Sequence, residues 1–268
     1  MAIVKNWRLN WALGQLFSFP SYKQQNAALK SSWPFWFSLI AKFFPDLYKR
    51  PVLLKLKEGG QFYIRDFMSL YIYKEIFVDK TYDYPDLQKI NPVIIDIGAN
   101  TGLFTLRMKQ LYKDASIYSF EPFPSNFQQL SENVKLSSLE DVVLYKKGVG
   151  GESRTEKLYI NKKNIGGHSL YQNEAQSDDY VEIEITSLEE VLNSLKVERF
   201  DLLKMDCEGA EFEIIKSITP ELAKRIDIII FESTESIYHI DELTSHLKGI
   251  GFTVEFIERS ANYVARKI

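Results

Sequence analysis

The stretch Val93-Ile94-Ile95-Asp96-Ile97-Gly98-Ala99-Asn100-Thr101-Gly102 combines an apolar strand pattern with Asp-X-Gly-X-Asn-X-Gly at its end. Glycine permits a tight turn and close backbone approach, and a helix that starts there presents free N–H groups to a ligand. A dinucleotide-binding turn would read Gly-X-Gly-X-X-Gly. Here only Gly98 and Gly102 are glycines, while Asp96 and Asn100 add polar side chains. A carboxylate at that point suits a ligand carrying an ammonium or a water network rather than a pyrophosphate pressed into the turn.

A second apolar run ends in Phe120-Glu121-Pro122, with Glu121 19 residues after Gly102. An acid at the end of the second strand is placed to accept both ribose hydroxyls of an adenosine ligand. S-adenosylmethionine carries a ribose, an ammonium and a carboxylate, and so fits Asp96 and Glu121 together. Phe123 is placed either to flank an adenine face or to pack beneath the loop. A third run, Leu203-Lys204-Met205-Asp206-Cys207-Glu208-Gly209-Ala210-Glu211, sets Asp206 at a strand end. Glu208 and Glu211 open the next helix, where acids also act as caps through the helix dipole. Glu232 ends a further strand on the same edge. The spacing of these acids specifies no metal, and none is assigned.

Group transfer from such a ligand to a weak nucleophile gains from a base near the accepting atom. Asp206, His168 and Glu208 are the candidates. Histidine has the pKa nearest neutrality, and His168 lies in a glycine-rich loop able to reach over the crevice, although a loop histidine is equally at home on a solvated surface. Cys207 has no histidine partner in sequence and reads as a small apolar filler. Lys204 alternates with Leu203 and Met205, and the pattern leaves its direction open. His239 and His246 are seven apart and read as surface positions of a helix.

Positioning these groups requires alternating strands and helices. Strand patterns cover 93–97, 116–120, 142–145, 200–205 and 226–231, and helical ones cover 102–112, 125–135, 187–193, 210–217 and 241–248. Ser187 and Glu190 form a capping-box pattern. Residues 252–257 and 262–266 read as a closing hairpin. Short, almost fully apolar strands alternating with helices predict a mostly parallel sheet with helices on both faces. An interruption at 152–185 holds two alternating runs, 156–160 and 181–185, around Ile165-Gly166-Gly167-His168-Ser169-Leu170. Before the alternating region, 1–50 is helical and aromatic, 52–57 and 61–64 form a hairpin about Gly59-Gly60, and 69–78 is an amphipathic helix. The expected division is an N-terminal extension, 1–90, which caps the acceptor site or packs on the sheet, and a ligand-binding domain, 91–268.

The chain has 268 residues, 45% hydrophobic and 26% charged, with 33 basic against 36 acidic residues. That composition belongs to a globular protein, not to a disordered or fibrous one. A net charge of −3 argues against a nucleic-acid partner, which calls for a basic excess. The single cysteine excludes an intrachain disulfide, and the absence of an Asn-X-Ser/Thr acceptor agrees with a reducing compartment. With no signal-peptide pattern, the expected location is cytoplasmic. The apolar stretch 33–44 is shorter than the ~20 residues of a transmembrane helix. It packs on the core, binds a partner or contacts a membrane surface. The oligomeric state is not readable.

Four segments together resemble the FkbM family of S-adenosylmethionine-dependent methyltransferases. They are Asp96-Ile97-Gly98-Ala99-Asn100-Thr101-Gly102, Phe120-Glu121-Pro122-Phe123-Pro124-Ser125-Asn126-Phe127, Gly166-Gly167-His168-Ser169-Leu170, and 203–211 as quoted above. Segment 61–84 also looks like the part that precedes this domain in some members. The resemblance implies a class I methyltransferase (Rossmann-like) α/β fold, with the cofactor held by Asp96, Gly98, Asn100, Gly102, Glu121, Pro122, Phe123 and Asp206. It implies methyl transfer to a hydroxyl on a sugar, glycan or natural product. A non-catalytic adenosine-ligand module or scaffold is the alternative. A nicotinamide dehydrogenase is disfavoured by the missing third glycine, and a nucleic-acid methyltransferase by the acidic balance.

Overall fold

A computed structural model describes residues 19–41, 47–48, 50–161, 167–233 and 237–268. Residues 1–18 and 42–44 of the aromatic segment, and Ile165 and Gly166 of the glycine loop, lie outside the described residues.

The described residues begin with α1 (Phe19–Ala27) and α2 (Ser32–Ala41), followed by the hairpin of β1 (Val52–Lys55) and β2 (Gln61–Ile64). Next, α3 (Met68–Tyr73) runs directly into a π-helical turn, Lys74–Val78. Alternation follows with β3 (Val93–Ile97), α4 (Leu103–Leu111), β4 (Ser116–Phe120), α5 (Pro124–Leu136) and β5 (Val142–Tyr145). The interruption contributes β6 (Gly148–Gly150), β7 (Arg154–Tyr159), α6 (Gln172–Ala175) and β8 (Tyr180–Ser187). The rest comprises α7 (Leu188–Ser194), β9 (Leu202–Met205), α8 (Glu211–Ser217), α9 (Pro220–Ala223), β10 (Ile228–Glu232), α10 (Ile240–Gly249), β11 (Phe252–Ile257) and β12 (Asn262–Lys267).

Seven strands form the main sheet in the order β11-β12-β10-β9-β3-β4-β5. The run from β10 to β5 is parallel throughout. Only β12 is reversed, antiparallel to both β10 and β11, as the closing hairpin requires. Ile97 is level with Phe120 on one side and with Met205 on the other. Glu121 and Asp206 therefore leave the sheet at the same level on either side of β3, one residue beyond the ends of β4 and β9.

Side chains of each strand alternate between two cores. Ile95, Ile97, Leu203, Met205, Ile229 and Phe231 pack under α7, α8, α9 and α10. Ile94, Ile117, Leu202, Ile230 and Val264 pack against α4 and the N-terminal extension. The extension adds buried Phe35, Leu54, Phe62, Leu70, Tyr73 and Phe77 to that second core. Its hairpin is also tied to α5, since the Tyr63 N–H donates to Asn133 Oδ1 at 2.8 Å and Gln129 Nε2 donates to the Tyr63 carbonyl at 2.8 Å.

Three features depart from the sequence reading. The two alternating runs of the interruption become β7 and β8, but β6 joins them in a separate sheet, order β6-β8-β7. β6 is Gly-Val-Gly, too short to alternate. The amphipathic helix at 69–78 changes to π geometry after Tyr73, which alters the facing of Glu75. The Ser187 cap does form, with Oγ accepting from the Glu190 N–H at 3.2 Å, whereas the Glu190 carboxylate accepts from Ser153 Oγ at 2.7 Å.

Candidate active site

Strand order reverses between β3 and β9, and in an open α/β sheet the ligand crevice lies beyond the strand ends at such a switch point. Gly98 sits there at φ +75°, and a Cβ on it would fall 2.0 Å from the Asp206 carbonyl oxygen. Only glycine lets the β3 and β9 loops touch. The Gly98 and Ala99 N–H groups both donate to the Phe120 carbonyl at 3.0 Å, which curls the loop back over β4. Gly102, at φ +85°, precedes α4, and a Cβ there would meet Leu130 Cδ1 at 2.6 Å. Asn133 Nδ2 fixes the same loop through the Thr101 carbonyl at 2.8 Å.

Glu121 is 5% exposed. Its Oε2 accepts the Asn100 N–H and its Oε1 the Phe123 N–H, each at 2.8 Å. Burial raises its pKa to about 7 against the opposing pull of those two N–H groups. Each carboxylate oxygen has a second lone-pair site, so two hydroxyls can be accepted without disturbing the loop.

Asp96 is fully buried and does not line the cavity. Its Oδ2 accepts from Thr105 Oγ1 at 2.9 Å, and its Oδ1 lies 3.1 Å from Lys204 Nζ. Lys204, 2% exposed, also donates to the Gly98 carbonyl at 2.9 Å and the Ile97 carbonyl at 3.3 Å, and stands 3.9 Å from Asp206 Oδ2. Burial opposes its charge, but Asp96 and Asp206 outweigh burial and its pKa is raised. Alternation alone left Lys204 undecided. The structure turns it toward the β3 loop, where it bridges Asp96 and Asp206.

On the far side of Asp206 stands the N-terminal extension. Tyr82 Oη donates to Asp206 Oδ2 at 3.1 Å, and the Tyr82 ring meets Phe104 edge-on at 5.2 Å. Glu75, from the π-helical turn, is closely surrounded by protein yet still reached by solvent. Burial first, and then the negative charges of Glu232, Asp206 and Asp79, raise its pKa to about 8. Glu75 was missed in the sequence. Its only signal is an acid, next to Lys74, inside the largely apolar pattern of 69–78.

An open cavity of about 610 Å³ lies between the β3–α4 loop and the small sheet, lined by Gly98, Asn100, Glu121, Pro122, His168, Asp206 and Glu208 among others. Gly102 and Phe123 do not line it. Phe123 instead packs on the His168 ring with centroids 4.1 Å apart. Burial lowers the His168 pKa to about 4, and its Nδ1 accepts the Asn161 N–H at 3.0 Å. A neutral ring that accepts at Nδ1 carries its proton on Nε2, so His168 presents a donor. Glu211 caps the β9–α8 loop, accepting from the Cys207 N–H at 2.6 Å and the Gly209 N–H at 2.8 Å. Cys207 is half-buried against the apolar core beside it, where burial pushes its thiol pKa up. His246 lies 3.0 Å from the Ile218 carbonyl.

Two buried atoms of lining residues, Asn100 Oδ1 and His168 Nε2, have no hydrogen-bond partner among the described residues. An acceptor, a donor and a twofold-acceptor carboxylate therefore surround the cavity. That set fits an adenosine-bearing ligand such as S-adenosylmethionine. No group of three His, Cys, Asp or Glu able to hold a metal occurs among the described residues.

The sheet order with a single reversed strand, the glycine turn after β3 and the acid after β4 define a class I methyltransferase fold. The family profile of the Methyltransferase FkbM domain matches residues 96–263, and the chain belongs to that family of methyltransferases. Methyltransferase 1 of Beauveria bassiana is 30% identical over 205 residues, covering 69% of this chain and 81% of its own. Methyltransferase sdnD of Sordaria araneosa is 30% identical over 234 residues, covering 76% and 90%. The 2-O-methyltransferase NoeI of Sinorhizobium fredii is 25% identical over 166 residues, covering 57% and 68%.

Proposed function

We propose that the protein transfers the methyl group of S-adenosylmethionine to a hydroxyl oxygen of a sugar, glycan or other small molecule. The observation that carries this reading is Glu121, a buried carboxylate whose two oxygens are held by the Asn100 and Phe123 N–H groups at the lip of the cavity. Bound there, S-adenosylmethionine supplies a methyl group already activated by its sulfonium. Glu121 accepts the ribose hydroxyls, and Gly98 and Asn100 form the wall beside them. His168 Nε2–H donates into the same cavity from the small sheet. Lys204 holds the β3 loop and Asp206 in register, so orientation is built in before the ligand arrives.

The acceptor side is assigned to Asp206, Tyr82 and Glu75, with residues 1–90 as the extension that walls it and 91–268 as the domain that holds the cofactor. O-methylation releases one proton from the acceptor hydroxyl. We assign that proton to Asp206, which lines the cavity, or to Glu75, which feels the Asp206 charge from the extension and whose pKa near 8 suits the transfer. The name of the Sinorhizobium relative, a 2-O-methyltransferase, supports oxygen as the target.

The test has two stages. Calorimetric titration with S-adenosylhomocysteine, with NAD as control, should show binding of the former alone. Transfer of labelled methyl groups should then follow on a panel of glycan and small-molecule alcohols. Binding of NAD in its place removes the cofactor assignment. Binding with no transfer to any alcohol removes the acceptor assignment and favours the non-catalytic module.

A further inference from the structure

Charge is divided very unevenly along the chain. Residues 1–57 hold nine Lys and Arg against one acid, Asp46, a net of +8, while the remaining 211 hold 24 against 35, a net of −11. All four tryptophans, Trp7, Trp11, Trp33 and Trp36, fall in the basic part. Such asymmetry within one chain marks a charged partner rather than a fold requirement.

The structure shows which of these groups face outward. α2 buries Phe35, Ser38 and Ala41. Its opposite face carries Trp33 at 70% exposure, Ile40 at 53% and Trp36 at 37%, and Leu47 just beyond is 40% exposed. The helix is thus apolar toward solvent as well as toward the core, unlike an ordinary surface helix. Trp33 and Phe37 line an open groove with Leu47, Arg50 and Val52. Cations rim this face. The Lys30 N–H donates to the Lys55 carbonyl at 2.8 Å and the Lys57 N–H to the Ala28 carbonyl at 2.9 Å, which gathers three lysines beside the start of α2. Lys23, Lys30, Arg50, Lys55 and Lys57 are exposed and form no ion pair among the described residues.

We propose that the outward face of α2, with Leu47, Arg50 and the Lys30–Lys55–Lys57 cluster, docks on a membrane surface rich in anionic lipid. Exposed tryptophan and aliphatic side chains seat at the boundary between headgroups and acyl chains, and the surrounding cations meet the lipid phosphates. The chemistry of the patch favours this occupant over a second copy of the chain, because two surfaces of like charge repel. No helix among the described residues is long and apolar enough to cross a membrane, so the contact is peripheral. The inference stands apart from the proposed acceptor and cofactor.

The tryptophans serve as the reporter. Full-length protein is mixed with vesicles of phosphatidylcholine alone, or of phosphatidylcholine with phosphatidylglycerol. Co-sedimentation and tryptophan emission are then followed as salt is raised. The expected result is binding and a blue shift with the anionic vesicles only, both reversed by salt. Each cation near the surface contributes roughly a fivefold factor, so Lys30→Glu with Arg50→Glu should weaken partitioning by at least ~25-fold. Trp33→Ser with Ile40→Ser should abolish the blue shift. Both double variants alter exposed side chains, and their melting curves and S-adenosylhomocysteine titrations should match wild type. Equal binding to both vesicle types, no binding to either, or wild-type partitioning of the charge-reversed variant would each overturn the proposal. So would sedimentation of the vesicle-free protein as a dimer that the Trp33→Ser, Ile40→Ser variant dissolves, which would make this face a self-interface.

Discussion

Lys204→Met tests whether one buried cation organises the site. The side chain is 2% exposed and its ammonium lies 2.9 Å from the Gly98 carbonyl, 3.3 Å from that of Ile97, 3.1 Å from Asp96 Oδ1 and 3.9 Å from Asp206 Oδ2. Methionine keeps nearly the same volume, so the cavity contribution is small. Loss of the charge leaves the fully buried Asp96 carboxylate without its cation, and breaking a buried pair in this way costs about 3–5 kcal/mol. For a chain of this size that lowers the melting temperature by on the order of 10 °C. Asp96→Asn in the same background removes the orphaned charge and leaves an amide oxygen for Thr105 Oγ1. Urea denaturation of wild type, both single variants and the double variant closes the cycle. The double variant should be less destabilised than the sum of the singles by more than ~1.5 kcal/mol, the scale expected of directly coupled groups. Strict additivity, or a Lys204→Met variant within ~1 kcal/mol of wild type, would refute the account of Lys204 as the buried counter-ion.

The remaining expectations concern ligand and turnover. Glu121 has its pKa raised to about 7; with its ionised form accepting the ribose hydroxyls, as proposed above, S-adenosylhomocysteine affinity should fall roughly tenfold per pH unit below 7. Calorimetry across that range checks it, and a flat wild-type profile, or a fall that persists in Glu121→Gln, would exclude the group. By the same linkage, a carboxyl with a raised pKa stabilises the folded protein while protonated, so that contribution is full below the ordinary carboxyl pKa and fades as pH rises through 7. His168→Ala should weaken the same ligand by about 2–12-fold, the worth of one hydrogen bond, with turnover at saturating cofactor little changed; lost turnover with intact affinity would return the base role to His168. Glu75→Gln should lower kcat by on the order of a hundredfold and remove a rise in the kcat–pH profile centred near 8, with cofactor affinity intact. Gly98→Ala places a Cβ against the Asp206 carbonyl at positive φ and should cost more than ~3 kcal/mol, measured as a lower denaturation midpoint.

The sheet was legible because its strands are buried on both faces and therefore read as unbroken apolar runs. Asp96, Glu121 and Asp206 were legible because each follows or ends such a run, and the topology alone then brings them to one edge. What the sequence obscured lies in two other kinds of place. Lys204 has an ordinary alternating position, and its meaning comes from Gly98, which lets the neighbouring loop approach closely enough for two carbonyls to meet its ammonium. Glu75 depends on a local change of helix period, which composition does not announce. His168 was visible as a titratable group, but its tautomer follows from a single backbone N–H seven residues earlier in the chain.

The extension and the sheet share one core, and this determines the geometry around Glu75 and Tyr82. Phe62 stacks on Phe77 with planes 6° apart, and Tyr73 lies within 6 Å of both rings. The Tyr73 hydroxyl is anchored on the Gln25 carbonyl at 2.6 Å. These three rings bracket the π-helical turn that carries Glu75, and Tyr82 follows within a few residues, wedged against Phe104 of α4. Asp206 leaves β9 on the other side of the crevice. Its contact with Tyr82 spans 124 positions of sequence, so neither segment can form this half of the site alone. A cavity cut into the aromatic cluster, as in Phe62→Ala, therefore acts on Glu75 and Tyr82 through the packing that holds the turn, while the β3–α4 loop keeps its own hydrogen bonds to Phe120 and Glu121.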